Sequence, residues 1–227
     1  MKSLFKNKKF VLAIALLLLF IEVTILVSCN VFDAIDKEVI EWIYEIRGSN
    51  SNRYGFFYWI NRSLTELAYI FILIPGCIVV LLLCKGDLKS IFLSASTALN
   101  YLVYKLIKMV INRERPDQMY QLMEETSKSY PSGHTANSTL FYFFLAYIVS
   151  KSNINPKLKK VLITICMIIP FIVGMTRINL SVHYPSDVLG GLLLGSAVCL
   201  FAIVLLEHLR SKGYNGVKSL LDKNNKD

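Results

Sequence analysis

Three short stretches hold the residues whose types and spacing suit work on a phosphate. The first is Lys108-Met-Val-Ile-Asn-Arg-Glu-Arg115-Pro116. Lys108 and Arg115 are separated by about two helical turns, so a helix continuing to Arg115 places both cations on one face. Arg offers a planar fork and Lys a mobile point charge, a combination fit for phosphoryl oxygens. The bland alternative is snorkelling or interfacial anchoring at the end of an apolar run. The second stretch, Pro131-Ser132-Gly133-His134, directs a hydroxyl, an unobstructed glycine amide and the free amides of a helix start at one place, with a titratable imidazole beside them. A plain cap, with Ser132 satisfying those amides, is the competing reading. The third runs from Arg177 through His183 to Asp187. Asp187 is close enough to accept a hydrogen bond from one ring nitrogen of His183 and leave the other nucleophilic, and Arg177 adds a further cation.

The elements that must carry these residues are apolar helices. The chain has 227 residues, of which 54% are hydrophobic and only 18% charged, with a formal charge of +9. Soluble domains carry about a quarter charged residues, so this balance excludes an ordinary soluble domain as well as disorder and collagen. The cations fall in clusters between apolar runs rather than along one stripe, which points to the bilayer as partner and away from nucleic acid. Cys77, Cys84, Cys166 and Cys199 lie in or at the ends of apolar runs, leaving no disulfide framework or zinc spacing. Leu26-Val27-Ser28-Cys29 has the look of a lipoprotein cleavage site. A retained first span is the expectation, because Glu22 interrupts the run and no soluble domain follows.

Hydropathy predicts an all-α integral membrane bundle of six spans: Phe10 to Ser28, Leu67 to Cys84, Ile91 to Ile111, Thr135 to Val149, Val161 to Met175 and Val188 to Leu206. Pro75 and Pro170 are read as kinks within spans. The start, the second and fourth loops and the tail hold nearly twice the Lys and Arg of the other loops, which places both termini in the cytoplasm and the three motif stretches at the outer face. The expected layout is a single domain over 1–227, with 1–9 a cytoplasmic start and 207–227 a cytoplasmic tail. Asp33 to Arg47 reads as an amphipathic helix with Ile35, Val39, Trp42, Ile43 and Ile46 on its apolar stripe and Asp36 on the polar side; it lies on the outer leaflet or packs on the other helices. Tyr54, Phe56, Phe57, Tyr58 and Trp59 read as an aromatic belt. Gly191 and Gly195 are expected to pack the last span against its neighbours rather than to form a dimer seam. Glu22 is expected to be an internal hydrogen-bonded carboxyl, and Asn61-Arg-Ser63 matches a glycosylation sequon.

In combination and order, Lys108-x6-Arg115-Pro116, Pro131-Ser132-Gly133-His134 and Thr176-Arg177-x5-His183-x3-Asp187 resemble the three-part signature of the type 2 phosphatidic acid phosphatase superfamily. Thr176 stands where that family usually has Ser and keeps a hydroxyl. The resemblance implies a membrane lipid phosphatase without metal or cofactor, in which His183 attacks phosphorus to form a phosphohistidine and Asp187 fixes its tautomer. His134 is then the acid for the leaving oxygen and the base for water, while Lys108, Arg115, Ser132, Gly133 and Arg177 hold phosphoryl oxygens. It further implies a membrane lipid as substrate, with the active site at the outer face. The small size and bare loops resemble bacterial undecaprenyl diphosphate and phosphatidylglycerophosphate phosphatases; undecaprenyl diphosphate is the expected substrate because its recycling occurs on the outer face, with phosphatidylglycerophosphate and phosphatidic acid as alternatives. A non-catalytic anion-binding or transport protein is the competing class. A vanadate-holding haloperoxidase fits six spans poorly. Oligomeric state is left open.

Overall fold

The computed structural model describes residues 7–47 and 55–214, which form helices and irregular connections with no strand among them. The helices are α1 (Lys8–Ser28), α2 (Asp33–Arg47), α3 (Phe56–Thr65), α4 (Ile70–Leu83), α5 (Leu88–Ile111), α6 (Gly133–Ser150), α7 (Pro156–Asn179) and α8 (Pro185–Ser211), with a 3₁₀ turn at Glu66–Ala68 between α3 and α4. Side chains cap several starts: Asn7, Asp87 and Asn155 each accept from an amide two residues on, and Pro156 and Pro185 occupy first-turn positions where no amide bond is lost. Pro75 and Pro170 lie inside α4 and α7, as expected.

Helix α6 is the centre of the bundle, packed against α5, α7 and α8, while α1 lies along α8. The outer surfaces of the surrounding helices carry exposed Leu18, Ile25, Phe71, Leu82, Met109, Ile168 and Phe171. That much contiguous apolar surface belongs in a lipid environment. Four helices, α1, α5, α7 and α8, are long and apolar enough to cross a bilayer, and α3 with α4 makes a fifth candidate bent by 42°. The fourth expected span, Thr135 to Val149 within α6, does not meet that measure. The reason is its position: its first turns carry Thr135, Asn137, Ser138 and Thr139, all buried against other helices rather than lipid. Their polar groups are satisfied internally; Ser138 and Thr139 donate to the Thr135 carbonyl, and Asn100 Nδ2 donates to Asn137 Oδ1 at 2.8 Å.

Close approach of α8 to α6 depends on two glycines. A Cβ at Gly191 would lie 2.7 Å from the Ser132 carbonyl oxygen, and one at Gly195 would collide with the Ala136 carbonyl. The Gly191/Gly195 pair therefore packs α8 within its own chain.

Several local expectations change. Glu22 lies on the exposed side of α1 rather than inside the bundle. Asn61 is buried, its Nδ2 donating to the Phe57 carbonyl and its Oδ1 accepting from Asn179, so the sequon is not presented. Phe56, Phe57 and Trp59 are exposed on α3, while Tyr54, the first of the expected aromatic belt, lies outside the described residues, as do 1–6 and 215–227 of the expected cytoplasmic ends. In α2 the stripe divides. Ile40 and Ile43 are buried with Ile178 and Val188, Ile35, Trp42 and Ile46 stay exposed, and Asp36, expected on the polar side, is fully buried.

Candidate active site

The end of α5, the starts of α6 and α8 and the last turn of α7 meet at one end of the bundle, so the three motif stretches converge. α5 stops at Ile111 because Asn112 adopts a left-handed conformation (φ 50°) and caps the Lys108 carbonyl. The helix therefore ends where the third span was expected to end and does not run on to Arg115. Lys108 and Arg115 meet instead because the irregular segment after Asn112 turns back over the helix end. Lys108, buried in the last turn of α5, donates to the Lys128 and Ser129 carbonyls, the latter at 3.0 Å. Arg115 donates to the carbonyls of Ser127 and Val182 and through Nη1 to His183 Nε2 at 3.2 Å.

His183 is buried immediately ahead of α8. Its Nδ1–H donates to Asp187 Oδ2 at 3.3 Å, a tautomer assigned from the hydrogen-bond network, which leaves the Nε2 lone pair directed at Arg115. Asp187 Oδ2 also accepts from Ser129 Oγ and from the Tyr184 amide at 2.9 Å, so the carboxylate that faces the imidazole also closes the first turn of α8. Burial, followed by the charges of Arg115, Lys108 and Arg177, holds the His183 imidazole well below its ordinary range, keeping it neutral near pH 7. Burial and the neighbouring Arg177 bring the Arg115 guanidinium down to about 10 against the pull of Glu125.

A cleft of about 580 Å³ opens onto these groups, lined by Lys108, Arg115, Gly133, His134 and His183 among others. His134, half-buried in the first turn of α6, packs its ring edge-on against Tyr69 with centroids 5.0 Å apart. The first amides of α6 lack intrahelical acceptors and make this wall of the cleft an anion-favouring helix start. Ser132 itself is buried as the N-cap of α6, accepting from Thr135 Oγ1 at 2.9 Å. Arg177 is fully buried behind the cleft wall, donating to Glu125 and, at 3.1 Å, to Thr65 Oγ1, and its Nε has no hydrogen-bond partner among the described residues. Glu125, which lines the cleft, thus separates Arg177 from the open space and also lies 3.8 Å from Arg115.

Sequence reasoning passed over Arg113, Glu125, Ser129 and Asp36. Arg113 donates to Asp187 Oδ1 at 2.9 Å, to Ser186 Oγ at 2.7 Å, to Asp36 Oδ2 at 2.8 Å and to Asp33 Oδ1 at 3.0 Å. The signal for Arg113 was its place between the two motif cations; Asp36, on the polar side of the α2 wheel, carried none. Burial alone would lower the Arg113 guanidinium, but Asp187 and Asp36 outweigh it and hold the group above its ordinary range.

A neutral histidine oriented by a carboxylate, a second histidine lining the same cleft and several cations form a constellation suited to phosphoryl transfer at one end of an apolar helical bundle. Among the described residues no group of three or more His, Cys, Asp or Glu side chains is placed to hold a metal ion. Comparison with known proteins agrees with that class: the PAP2 superfamily profile matches residues 89–210, and the chain belongs to this superfamily. It is a membrane lipid phosphatase of the metal-independent kind. The chain is 31% identical to phosphatidylglycerophosphatase B of Bacillus subtilis over 144 residues, covering 60% of this chain and 70% of that protein. Over 91 residues, 40% of this chain and 41% of the relative, it is 31% identical to the putative undecaprenyl-diphosphatase YbjG of Escherichia coli. The crystal structure of a transmembrane PAP2 type phosphatidylglycerolphosphate phosphatase from Bacillus subtilis superposes with a TM-score of 0.75 at 26% identity, covering 88% of this chain and 96% of that one. The Aquifex aeolicus LpxE structure, at 20% identity and a TM-score of 0.57, shares the fold over 75% of this chain and 95% of that one.

Proposed function

We propose that the protein hydrolyses the terminal phosphate of a lipid phosphate through a phosphohistidine on His183, and that the arrangement Asp187, His183 Nε2, Arg115 carries this reading. When a phosphoryl group enters, Arg115 exchanges its bond to Nε2 for the phosphoryl oxygens. The freed lone pair attacks phosphorus in line and the P–O bond to the lipid breaks. His134 supplies the proton to the leaving oxygen, then takes one from the water that cleaves the N–P bond and returns inorganic phosphate. Asp187 offsets the charge that His183 acquires. Lys108, Arg115 and the Gly133 end of α6 stabilise the equatorial oxygens, with Ser132 holding that end in shape, and Arg177 joins them as Glu125 yields to the incoming anion.

The tail has a path as well. A groove of about 290 Å³ between α4 and α5, lined by Leu73, Ile74, Ala98 and Leu102, shares Ile70, Tyr101 and Asn137 with the catalytic cleft. A headgroup in the cleft can keep its chain in an apolar channel open to the bilayer, which a soluble ester does not need. Lys105 and Lys128 also line the cleft, more cations than one phosphate requires, so the preferred substrate carries two. Undecaprenyl diphosphate is our first choice. Phosphatidylglycerophosphate, for which the Bacillus subtilis relative is named, is the second. We further propose a single domain of six spans, α6 being the enclosed one, with both termini cytoplasmic and the site at the outer face of the cell membrane. This agrees with the lysine-rich end opposite the cleft.

The test is phosphate release by the detergent-purified protein in EDTA from undecaprenyl diphosphate, phosphatidylglycerophosphate and phosphatidic acid, with His183→Ala in parallel. Release from the two-phosphate lipids ahead of phosphatidic acid, lost in the variant, is the expected result. Equal release by His183→Ala would overturn the phosphohistidine mechanism, and no release from any of the three lipids would overturn the choice of substrates.

A further inference from the structure

The catalytic carboxylate has two oxygens with different duties. Asp187 Oδ2 is shared by His183 Nδ1, Ser129 Oγ and the Tyr184 amide, whereas Oδ1 accepts from Arg113 Nη1 at 2.9 Å. Asp187 is wholly buried, and a buried carboxylate keeps its charge and its orientation only if a counter-charge is fixed beside it. Arg113 is fixed in turn. Its Nη2 donates to Asp36 Oδ2 at 2.8 Å, and its plane lies over the Tyr184 ring with the guanidinium carbon 4.5 Å from the centroid. Asp36 is itself fully buried and accepts from the Ser186 amide at 3.1 Å, at the start of the helix that bears Asp187. Asp33, the third carboxylate on Arg113, is 37% exposed and correspondingly screened.

We propose that Arg113, held in place by Asp36 of α2, is a positioning residue for the His183 nucleophile, acting through Asp187, so that α2 belongs to the catalytic apparatus. This rests on the phosphohistidine reading above. Arg113 does not line the cleft and has no place in holding the lipid. Its effect falls on how well Asp187 orients the imidazole and stabilises the imidazolium formed as His183 attacks.

The remaining attachment of α2 makes this role separable from folding. Ile40 and Ile43 pack on Ile178 and Val188, and Arg47 donates to the Asn179 and Tyr120 carbonyls and to Ser181 Oγ. A shape-conserving change at Asp36 therefore leaves α2 docked. Charged and titratable groups facing His183 are Arg115, Lys108, Arg177, His134 and Asp187; those facing Asp187 are Arg113, His183, Tyr130 and Tyr184, with Lys108 and Arg115 further off. Removing the Arg113 cation makes both His183 and Asp187 easier to protonate. Both changes move the acid limb of activity to higher pH.

The experiment uses the full-length protein in detergent with phosphatidylglycerophosphate as probe, measuring kcat and KM across pH for wild type, His183→Ala, Arg113→Met, Arg113→Lys and Asp36→Asn. Arg113→Met is expected to lose on the order of 10²-fold in kcat with KM within about twofold of wild type, and to shift the acid limb upward. Arg113→Lys keeps the charge, so its acid limb stays near that of wild type and part of the kcat returns. Asp36→Asn loses roughly tenfold in kcat at unchanged KM. If Arg113→Met does not fold, as judged by its melting transition, the Lys and Asn variants carry the test. A loss confined to KM, an unmoved kcat in all three, or a Lys variant no better than Met overturns the positioning role. If those variants match wild type while His183→Ala is dead, only this proposal falls; if His183→Ala is active, the phosphohistidine reading falls with it.

Discussion

At the lysine-rich end of the bundle, Lys9 pairs with Glu207 and Arg210 with Asp87, their side chains 28–42% exposed. At the cleft end, Arg177 meets Glu125 and Arg113 meets Asp187, and none of those four side chains is more than 17% exposed. The residue types are the same and the bonds are similar in kind. What differs is the environment. Water and salt screen the first set, so each pair contributes little and can be lost singly. In the second set each charge is costly to bury and depends on its neighbours, so removing one partner strands another. A bundle assembled by apolar packing has no need of such a cluster for cohesion. Its presence at the end where the motif residues converge marks where stability is exchanged for function.

The strongest way to test that contrast is Arg177→Ala. It leaves Glu125 without its closest partner at the cleft wall and removes the cation proposed to join the phosphoryl oxygens when Glu125 yields. We expect a loss of about 3–5 kcal/mol in stability and at least about 10²-fold in phosphate release. Thermal melting in detergent and phosphate assays read both quantities. A variant that melts like wild type would mean that the buried pairs are as dispensable as the exposed ones.

Next in size is the contact that sets the floor of the site. Gly191→Ala places a methyl 2.7 Å from the Ser132 carbonyl oxygen, a backbone atom that cannot rotate away. Overpacking of this kind costs about 1–3 kcal/mol. Because Ser132 caps α6, the displacement also moves Gly133 and His134, so activity should fall further than the melting point suggests. The corresponding change at an exposed site on α1, Leu18→Ala, should leave phosphate release unaltered.

How much of this was visible in the sequence differs between the same two regions. The cleft-end residues His134, His183, Lys108, Arg115 and Asp187 were legible because their order and spacing survive as linear motifs. The network behind them was not. Asp36 and Arg113 are 77 positions apart, and nothing local distinguishes a carboxylate that will be buried against a guanidinium from one on a solvated helix face. The end of the third span at Ile111 was legible, but the way Arg115 returns to Lys108 was not, because one left-handed residue, Asn112, turns the chain there. Helix α6 was legible as the span Thr135 to Val149, but its enclosure was not: a segment packed among three other helices need not be apolar, and its polar first turns gave no sign of which neighbours would bury them.

A third measurement concerns protonation. Burial and the cations around His183 lower its folded-state value below the unfolded value of about 6.5. As pH falls below about 6.5 the unfolded chain takes up the proton first, so this group's contribution to stability is present above that pH and is lost below it. In kcat/KM, which reports the free enzyme, the acid limb should accordingly lie below 6.5. Lys108→Met removes one of those cations and should move the limb upward, along with a large loss of activity. A limb at or above 6.5 in wild type would show that His183 is not shielded in the way its surroundings imply.

The smallest expected effect completes the contrast from the other side. Lys9→Ala breaks the Lys9–Glu207 pair and removes the ammonium from the face of Tyr147, 5.6 Å from its ring centroid. With both partners partly exposed, Glu207 is re-solvated and keeps the Tyr147 hydroxyl as donor, and the cost should be about 0.2–1 kcal/mol, decreasing as salt is added. Phosphate release should not change. A loss comparable to that of Arg177→Ala would mean that ion pairs at both ends hold the bundle together. The buried charges at the cleft would then be part of a general stabilising scheme instead of a site maintained for chemistry.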